Sequence, residues 1–301
     1  MIYTLTCNPA LDYVIKVDNF GLNKVNRASK EDIYYGGKGL NVSTVLSNLG
    51  YENIALGFVA GFTGDAIEKG VKSLGFSSDF IKVKEGLSRI NIKLKSNEET
   101  EINGVGPIIN DEDINKLFEK LDKLKDKDIL VLSGSVPKTI RDDIYENIMK
   151  RLEHRNIKII VDATQDLLLN VLKYKPFLVK PNVHELGEMF NIILKDDEDI
   201  VLYAKKLQKM GARNVLVSMA GDGAILVTED ENVIKANALQ GEVKNSVGAG
   251  DSMVAGFIVG YESSKSYRHA LRLAVAAGSA SAFSEGLASE KEVINQLNLL
   301  Y

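Results

Sequence analysis

Short apolar runs alternate with amphipathic stretches of helical spacing along most of this chain. The apolar runs that we predict to be strands span residues 2–6, 54–59, 129–133, 157–161, 177–180, 215–218 and 224–227. Most of them are apolar throughout, which is typical of strands buried on both faces of a sheet. The intervening stretches that we predict to be helices span residues 39–49, 65–74, 111–124, 141–153 and 200–210. This alternation predicts an α/β fold whose mostly parallel sheet carries helices on both faces.

The last sixty residues of the chain and two internal segments depart from this alternation. Residues 250–260, 267–284 and 289–300 read as three successive helices. Residues 12–35 and 88–103 read as extended, and the run RINIKLK at 89–95 alternates polar and apolar residues strictly. Such alternation predicts half-exposed strands, and we expect the two segments to form a small separate sheet. Its apolar face, with Ile90, Ile92 and Leu94, needs a cover, which is either a ligand or a second subunit.

Composition bounds the class of protein. The chain has 301 residues, 45% of them hydrophobic and 26% charged, which is ordinary for a globular domain, and we treat it as one domain over residues 1–301. The net charge of −4 argues against a nucleic-acid or anionic-membrane partner, because both require a basic face. Cys7 is the only cysteine, so a disulfide framework and a cysteine metal site are excluded. With no apolar run of membrane length and no basic leader, we expect a cytoplasmic protein.

The most informative motif for chemistry is SVGAGDSMVAG at residues 246–256. Gly248 and Gly250 bracket Ala249 directly before Asp251, where a helix is predicted to begin. Glycines and a helix start together point backbone N–H groups at one spot, and such a spot binds phosphate. A carboxylate there would repel the anion unless it accepts a proton from a hydroxyl that attacks the phosphate. Asp251 is therefore a candidate base for phosphoryl transfer, and its structural alternative is a helix cap.

A second glycine-rich motif, GGKGLN, spans residues 36–41. Its three glycines allow a ligand to approach the backbone closely, with Lys38 beside it; the alternative is a plain turn into the next helix. It is not a P-loop, because Asp32 stands where a glycine is required and Gly39 stands where a Ser or Thr is required. A dinucleotide fingerprint is also absent, since Met253 and Leu226 occupy the positions of its third glycine.

Several single residues are weaker candidates. Asp12 follows the first strand, at the sheet edge where open α/β sheets bind ligands, but an aspartate there is also a common turn former. Arg89 has a guanidinium that suits a phosphate, although an exposed arginine is usually only solvated. Asn182 and Glu185 fit either a helix capping box or oxygen ligands toward a hydrated magnesium ion. The three histidines have no metal-ligand spacing, so we interpret them as surface or packing residues.

Taken together and in this order, these motifs resemble the ribokinase-like, or PfkB-type, family of sugar kinases, and the resemblance covers essentially the whole chain. Both signature regions are present, at residues 36–41 and 246–256. The resemblance implies a doubly wound α/β body with a small β-sheet lid formed from about 12–35 and 88–103. It also implies transfer of the γ-phosphoryl group of ATP to a sugar hydroxyl with the help of Mg²⁺, in a homodimer joined through the lids.

The resemblance also assigns roles by position. Asp251 matches the catalytic base of the family. The residues that match its anion hole, where backbone N–H groups bind the phosphate, are Gly248, Ala249 and Gly250. The implied sugar-phosphate contacts are Asp12, Gly37, Lys38, Asn41 and Arg89. The implied magnesium-and-phosphate motif is Asn182 with Glu185, which would contact the metal through water, and part of the nucleotide pocket is Ser218, Gly221 and Gly223. Gln165 stands where relatives often have a glycine, which leaves the role of Asp162 open.

Within the family, residues 6–12, 89–93 and 100–104 most resemble the branch that phosphorylates fructose 1-phosphate at its C6 hydroxyl. A branch that phosphorylates tagatose 6-phosphate at C1 is the nearest alternative. Ribose and adenosine kinases fit less well, because Lys38 and Arg89 imply a substrate that already carries phosphate. A non-catalytic sugar-phosphate sensor is a third hypothesis, but a sensor has no use for Asp251 in an anion hole.

Overall fold

Fourteen strands form two sheets in the computed structural model, which describes residues 1–300. In chain order they are β1 (Ile2–Thr6), β2 (Ala10–Lys16), β3 (Lys30–Gly36), β4 (Asn53–Ala60), β5 (Ser77–Ser78), β6 (Ile81–Val83), β7 (Arg89–Lys95), β8 (Glu99–Asn103), β9 (Ile129–Ser133), β10 (Lys158–Asp162), β11 (Leu178–Val179), β12 (Asn214–Ser218), β13 (Ala224–Val227) and β14 (Val233–Ala236). All seven strands predicted from apolar runs are present, with ends that differ by at most one residue.

The central sheet has the strand order β14-β13-β12-β11-β10-β9-β1-β4-β5, with β6 paired to β4. Its pairs are parallel except for β12 with β13 and β13 with β14, so the predicted mostly parallel sheet is confirmed. The chain adds strands on one side of β1 and then, from β9 onward, on the other side. This reversal makes the fold doubly wound, and open α/β sheets bind ligands at the carboxyl ends of the strands beside such a reversal.

Ten α-helices cover the two faces of this sheet within residues 1–300. They are α1 (Lys38–Asn48), α2 (Gly61–Ser73), α3 (Asp111–Leu121), α4 (Ile144–Arg151), α5 (Gln165–Val171), α6 (Val183–Met189), α7 (Asp197–Met210), α8 (Ala249–Ser264), α9 (Tyr267–Ala282) and α10 (Glu290–Asn298). Alternate residues of one strand serve opposite faces: Leu130 and Leu132 lie in one buried cluster, and Val131 lies in the other. Burial on both faces explains why these strands are apolar throughout. None of these helices is both long enough and apolar enough to cross a bilayer.

The small sheet has the order β3-β2-β7-β8 and pairs with no strand of the central sheet, as the alternating pattern predicted. The predicted segment 12–35 is extended only at its two ends. Between β2 and β3 the chain forms a loop, in which Gly21 and the side chain of Asn26 exchange hydrogen bonds of 3.1 and 2.8 Å. A side chain that bonds the backbone in this way stabilises a turn rather than a strand.

The two faces of the small sheet differ in character. One cross-strand row consists of Tyr13, Ile33, Ile92 and Ile102, whereas the next row on the other face contains Asp12, Asn91 and Asn103. The polar face looks toward the body of the protein and lines a cleft there. The apolar face is open, with Ile33 59% and Ile102 60% exposed.

Candidate active site

A cleft of about 590 Å³ lies between the polar face of the small sheet and the carboxyl ends of the central strands. Of the residues predicted for the site, it is lined by Asp12, Gly37, Lys38, Asn41, Arg89, Asn182, Glu185, Ser218, Gly248, Gly250 and Asp251. Ala249 stands between two of them as the first residue of α8. Segments that are more than 200 residues apart in the chain thus meet in one cleft.

Asp251 lies in the first turn of α8 and is buried. Its Oδ2 accepts a hydrogen bond of 2.7 Å from Nδ2 of Asn41. The N-cap residue of this helix is Gly248, and no side-chain capping bond is present there, so the carboxylate of Asp251 does not cap the helix. Burial, reinforced by the negative charge of Asp162, raises the pKa of Asp251 to about 6, while Lys38, Asn41 and Lys180 oppose the shift. A carboxyl group with this pKa can accept a proton near neutral pH.

The start of α8 has the geometry of an anion site. Gly248 has a φ of 80°, a left-handed conformation that favours glycine. The N–H of Ala249 donates to the carbonyl of Ser246 at 3.3 Å, whereas the next N–H groups have no acceptor inside the helix. The free donors and the positive end of the helix dipole therefore lie directly beside the carboxylate of Asp251.

The glycines of the GGKG motif allow α1 to pack directly on the end of β1. A Cβ atom on Gly39 would stand 2.4 Å from Oγ1 of Thr6 and 3.1 Å from the carbonyl of Leu5. Gly37 has a φ of 123° and turns the chain into the helix. The motif thus forms a turn into α1, which is the structural alternative to a ligand-binding role. The same turn brings Lys38 to the cleft.

Two lysines flank one buried carboxylate at the floor of the cleft. The Nζ atoms of Lys38 and Lys180 lie 3.3 and 3.4 Å from Oδ1 of Asp162. Burial opposes ionisation of Asp162, but the two lysines hold its pKa below the ordinary value. For Lys38, burial also opposes the charge, yet Asp162, Asp251 and Glu185 together raise its pKa. The ammonium group of Lys38 therefore stays charged beside the candidate base.

Sequence reasoning missed Lys180 and left Asp162 without a role. Both residues end apolar strand segments, at the carboxyl edge of the sheet. A charged residue that closes a run buried on both faces is a usable signal, because it must emerge where the sheet meets a cleft or solvent.

On the small sheet, Arg89 and Asp12 lie on neighbouring strands. The Nε of Arg89 donates to the carbonyl of Asn8 at 3.0 Å, which fixes the guanidinium and leaves its terminal nitrogens for other partners. Burial lowers the pKa of Arg89, and Asp12 opposes that shift. Nδ2 of Asn91 donates to Oδ1 of Asp12 at 2.8 Å. Asn91, Lys93 and Asn103 also line the cleft. The alternation in 89–95 could have identified Asn91 and Lys93, since both share a face with Arg89.

Asn182 and Glu185 form the capping box of α6. The N–H of Glu185 donates to Oδ1 of Asn182, and the N–H of Asn182 donates to Oε2 of Glu185, both at 2.8 Å. The interpretation of this pair as a capping box is therefore confirmed. Both side chains also line the cleft. In residues 1–300 no three acidic, histidine or cysteine side chains cluster closely enough to hold a metal ion. A magnesium ion here would keep its waters and phosphate ligands, and one free oxygen of Glu185 could bind such a water.

Ser218, Gly221 and Gly223 separate in the structure. Ser218 bridges to Asn182 and lines the cleft, whereas neither glycine is among the residues that line it. Gly223 closes the turn between β12 and β13, where its φ is 92° and a Cβ atom would stand 2.1 Å from the carbonyl of Ala236. A Cβ atom on Gly221 would meet nothing within 4 Å. Gly223 therefore has a structural reason to be glycine.

A buried carboxylate beside the free N–H groups of a helix start, at the ligand edge of a doubly wound sheet, is an arrangement that suits phosphoryl transfer to an alcohol. The sequence profile of the pfkB family carbohydrate kinases matches residues 6–293. The 1-phosphofructokinase of Bacillus subtilis (strain 168) is 47% identical over 297 residues, which are 99% of this chain and 97% of the relative. The D-tagatose-1-phosphate kinase of Bacillus licheniformis is 39% identical over 288 residues, which are 95% of this chain and 94% of the relative.

A solved structure has the same fold over its whole length. The crystal structure of phosphofructokinase-2 from Escherichia coli in complex with substrates and products matches with a TM-score of 0.93, at 27% identity, over 99% of both chains. The chain belongs to the pfkB family of carbohydrate kinases. The predicted family, fold class and kinase activity are thereby confirmed.

Proposed function

We propose that this kinase transfers the γ-phosphoryl group of ATP to the C6 hydroxyl of fructose 1-phosphate, which yields fructose 1,6-bisphosphate and ADP. The observation that carries the proposal is the position of Asp251, a buried carboxylate with a raised pKa, beside free N–H groups of α8 and opposite Arg89 across the cleft. One wall of the cleft thus suits phosphoryl transfer, and the other suits a substrate that already carries a phosphate.

The proposed step needs one base and several donors. The C6 oxygen attacks the γ-phosphorus, its proton passes to a carboxylate oxygen of Asp251, and the bond from phosphorus to the β-phosphate oxygen breaks as ADP leaves. Asn41 holds Oδ2 of the base, so Oδ1 is the oxygen left for the proton. The N–H groups of Gly250 and Asp251 would stabilise negative charge on the moving group, as an anion hole does.

The phosphate already on the sugar would bind at the small sheet. Arg89 is fixed through Nε, so its terminal N–H groups can form a two-pronged contact with a phosphate. Such charge-assisted hydrogen bonds contribute about 1.5–3 kcal/mol each. Lys93 is on the same face and adds a second cation. Lys38 was predicted for this same phosphate, but its ammonium lies beside Asp162 and near Asp251, which favours contact with the transferred phosphoryl group instead.

Magnesium fits this site as a hydrated ion bound to the nucleotide phosphates. Glu185 is the candidate protein partner, through water, because Oε2 is engaged with the N–H of Asn182 and Oε1 is not. When bound, the ion would neutralise phosphate charge during transfer. The capping box would hold Glu185 in place for that contact.

Three alternatives differ in the substrate or in the chemistry. Tagatose 1-phosphate differs from fructose 1-phosphate at C4 alone, and the 39% identity to a D-tagatose-1-phosphate kinase favours it as a second candidate. Tagatose 6-phosphate would have to bind in the reverse sense, with its C1 hydroxyl toward Asp251. A non-catalytic sensor would bind a sugar phosphate and release no ADP.

A homodimer joined through the small sheets is part of the proposal. The apolar row of Tyr13, Ile33, Ile92 and Ile102 lies on the open face of a four-stranded sheet. Sheets of few strands need a packed face for stability. A second copy that presents the same face would cover both rows around a two-fold axis.

A coupled ADP-release assay over fructose, fructose 1-phosphate, tagatose 1-phosphate and tagatose 6-phosphate tests the substrate. We expect the highest kcat/KM with fructose 1-phosphate and very low turnover with fructose. Equal turnover with fructose would overturn the phosphate-bearing substrate, and a preference for either tagatose phosphate would select that alternative. Binding of a sugar phosphate without any ADP release would support the sensor.

A further inference from the structure

Lys38 and Lys180 reach the same carboxylate oxygen from different parts of the fold. Lys38 is the first residue of α1, and Lys180 follows β11. Both ammonium groups lie within 3.4 Å of Oδ1 of Asp162, so the two positive charges are close neighbours. Like charges repel strongly in a buried site unless a negative group lies between them. Asp162 is the group that lies between them.

The second oxygen of Asp162 is not used by the fold. Oδ2 is buried and makes no hydrogen bond within residues 1–300. Ser133 lies directly opposite on β9, and its buried Oγ also has no partner there. The carboxylate is therefore turned toward the two lysines and makes no bond to the hydroxyl of the neighbouring strand. The ion pairs of this carboxylate are formed with the two lysines, and its side chain makes no hydrogen bond to the neighbouring strand.

Both lysines lie where the phosphoryl group would move. The Nζ of Lys180 would be 3.3 Å from a Cβ atom on Gly250, which puts this ammonium against the first turn of α8. Lys38 interacts electrostatically with Asp251 and Glu185. One cation from each side thus flanks the anion-binding start of α8.

We propose that Asp162 is a positioning residue, which holds Lys38 and Lys180 as a pair of cations directed at the transferred phosphoryl group. The inference rests on the proposed function and adds to it a role for Asp162, which lines the cleft. The aspartate neutralises the repulsion between the two lysines and fixes both ammonium groups. The lysines then offer charge to the phosphoryl oxygens, in addition to the backbone N–H groups.

Asp162 also acts on the base. The charged groups that face Asp251 are Lys38 from α1, Asp162 from β10 and Lys180 after β11, together with the amide of Asn41. The negative charge of Asp162 raises the pKa of Asp251, whereas the two lysines lower it. Removal of the charge at position 162 should therefore move the acid limb of the pH–rate profile to lower pH. A residue with a purely structural role would leave that limb where it is.

The test compares Asp162→Asn, Asp162→Glu, Lys180→Met and the double variant Asp162→Asn/Lys180→Met in the ADP assay with fructose 1-phosphate. For Asp162→Asn we expect kcat to fall about 10²-fold, the size of effect that follows from displacing catalytic groups by about 1 Å. Its acid limb should shift to lower pH. In the Lys180→Met background, Asp162→Asn should lower kcat much less, because one of the two lysines that Asp162 holds is already absent. Asp162→Glu keeps the charge but moves the oxygens, so kcat should fall while the limb stays near that of the wild type.

Asp128→Asn is the matched control, because Asp128 is also a buried carboxylate that binds a cation, the amino group of Met1, but lies outside the cleft. It should lower the melting temperature and leave kcat and the acid limb unchanged. Unchanged kcat in folded Asp162→Asn or Asp162→Glu would overturn the proposal. Additive effects on kcat in the double variant would also overturn it. Full recovery of kcat in Asp162→Asn at a raised magnesium concentration would overturn it as well, because Asp162 would then be a partner of the metal. If the wild type itself released no ADP, the proposed function would fail instead.

Discussion

The side-chain amide of Asn41 donates a hydrogen bond of 2.7 Å to the carboxylate of Asp251, across 210 residues of chain. This contact joins the two glycine-rich motifs, because Asn41 belongs to the GGKG segment and Asp251 to the start of α8. It fixes the rotamer of the candidate base and stabilises its charged form. The two signatures of the family thus meet through one hydrogen bond.

The first prediction concerns pH. A base must be deprotonated to work, so kcat/KM should rise with pH through the pKa of Asp251, about 6, and then level off. Asn41→Leu removes a hydrogen bond to the charged form, which raises the pKa of Asp251 further and moves the acid limb to higher pH. The pH–rate profiles of the two proteins test this. A limb that stayed near pH 4, or moved down in the variant, would contradict the assignment.

The second prediction concerns Arg89. Arg89→Ala should raise KM for fructose 1-phosphate by about 10-fold or more, since a charge-assisted hydrogen bond contributes about 1.5–3 kcal/mol. KM for ATP should change little. Arg141→Ala is the matched control, because Arg141 lies outside the cleft with its side chain 84% exposed. An unchanged KM for the sugar phosphate in Arg89→Ala would remove this arginine from the substrate site.

The third prediction separates two glycines that the sequence alone treats alike. Gly223→Ala would put a Cβ atom 2.1 Å from the carbonyl of Ala236 at a φ of 92°. We expect the free energy of unfolding to fall by more than about 2 kcal/mol, because the chain must shift or strain. Gly221→Ala is the control, since its Cβ atom would have open space. Denaturant unfolding of both variants measures the difference, and equal stabilities would contradict it.

Some site residues could be predicted from sequence and others could not, for physical reasons. Asp251 and Lys38 stand in glycine-rich runs, whose backbone geometry is local and therefore visible in sequence. Lys180 and Asp162 meet only because β10 and β11 are neighbours in the sheet, which is a tertiary fact. For Gly223 the sequence leaves two reasons open, because a glycine required by a tight turn cannot be told in sequence from one required by a ligand, and the structure shows the turn. The strands were recovered well, since burial on both faces leaves a plain apolar run.

The fourth prediction concerns assembly. Ile102→Lys would add a charge to the open apolar face of the small sheet, where Ile102 is 60% exposed. If two copies pack these faces together, the wild type should scatter light as a dimer of 33.0 kDa chains at micromolar concentration, and the variant should scatter as a monomer. Ile193→Lys is the control, because Ile193 is 87% exposed and lies outside both sheets. A wild type that measured as a monomer would contradict the dimer.

The fifth prediction, for Asp251→Asn, addresses the base itself. Asparagine keeps the shape of the side chain and can still accept the hydrogen bond from Asn41, but it cannot take a proton. Because burial disfavours the charged carboxylate, the variant should be at least as stable as the wild type at pH 8. A loss of turnover in the variant would then not result from unfolding. A melting curve of each protein at pH 8 checks the predicted stability.

The kcat of Asp251→Asn with ATP and fructose 1-phosphate is the most direct measurement. We predict a fall of about 10²–10⁴-fold, the range for a lost general base, with both KM values nearly unchanged because the base acts in the transition state. Full turnover in the folded variant would show that Asp251 does not take the proton, and the proposed mechanism of phosphoryl transfer would be wrong.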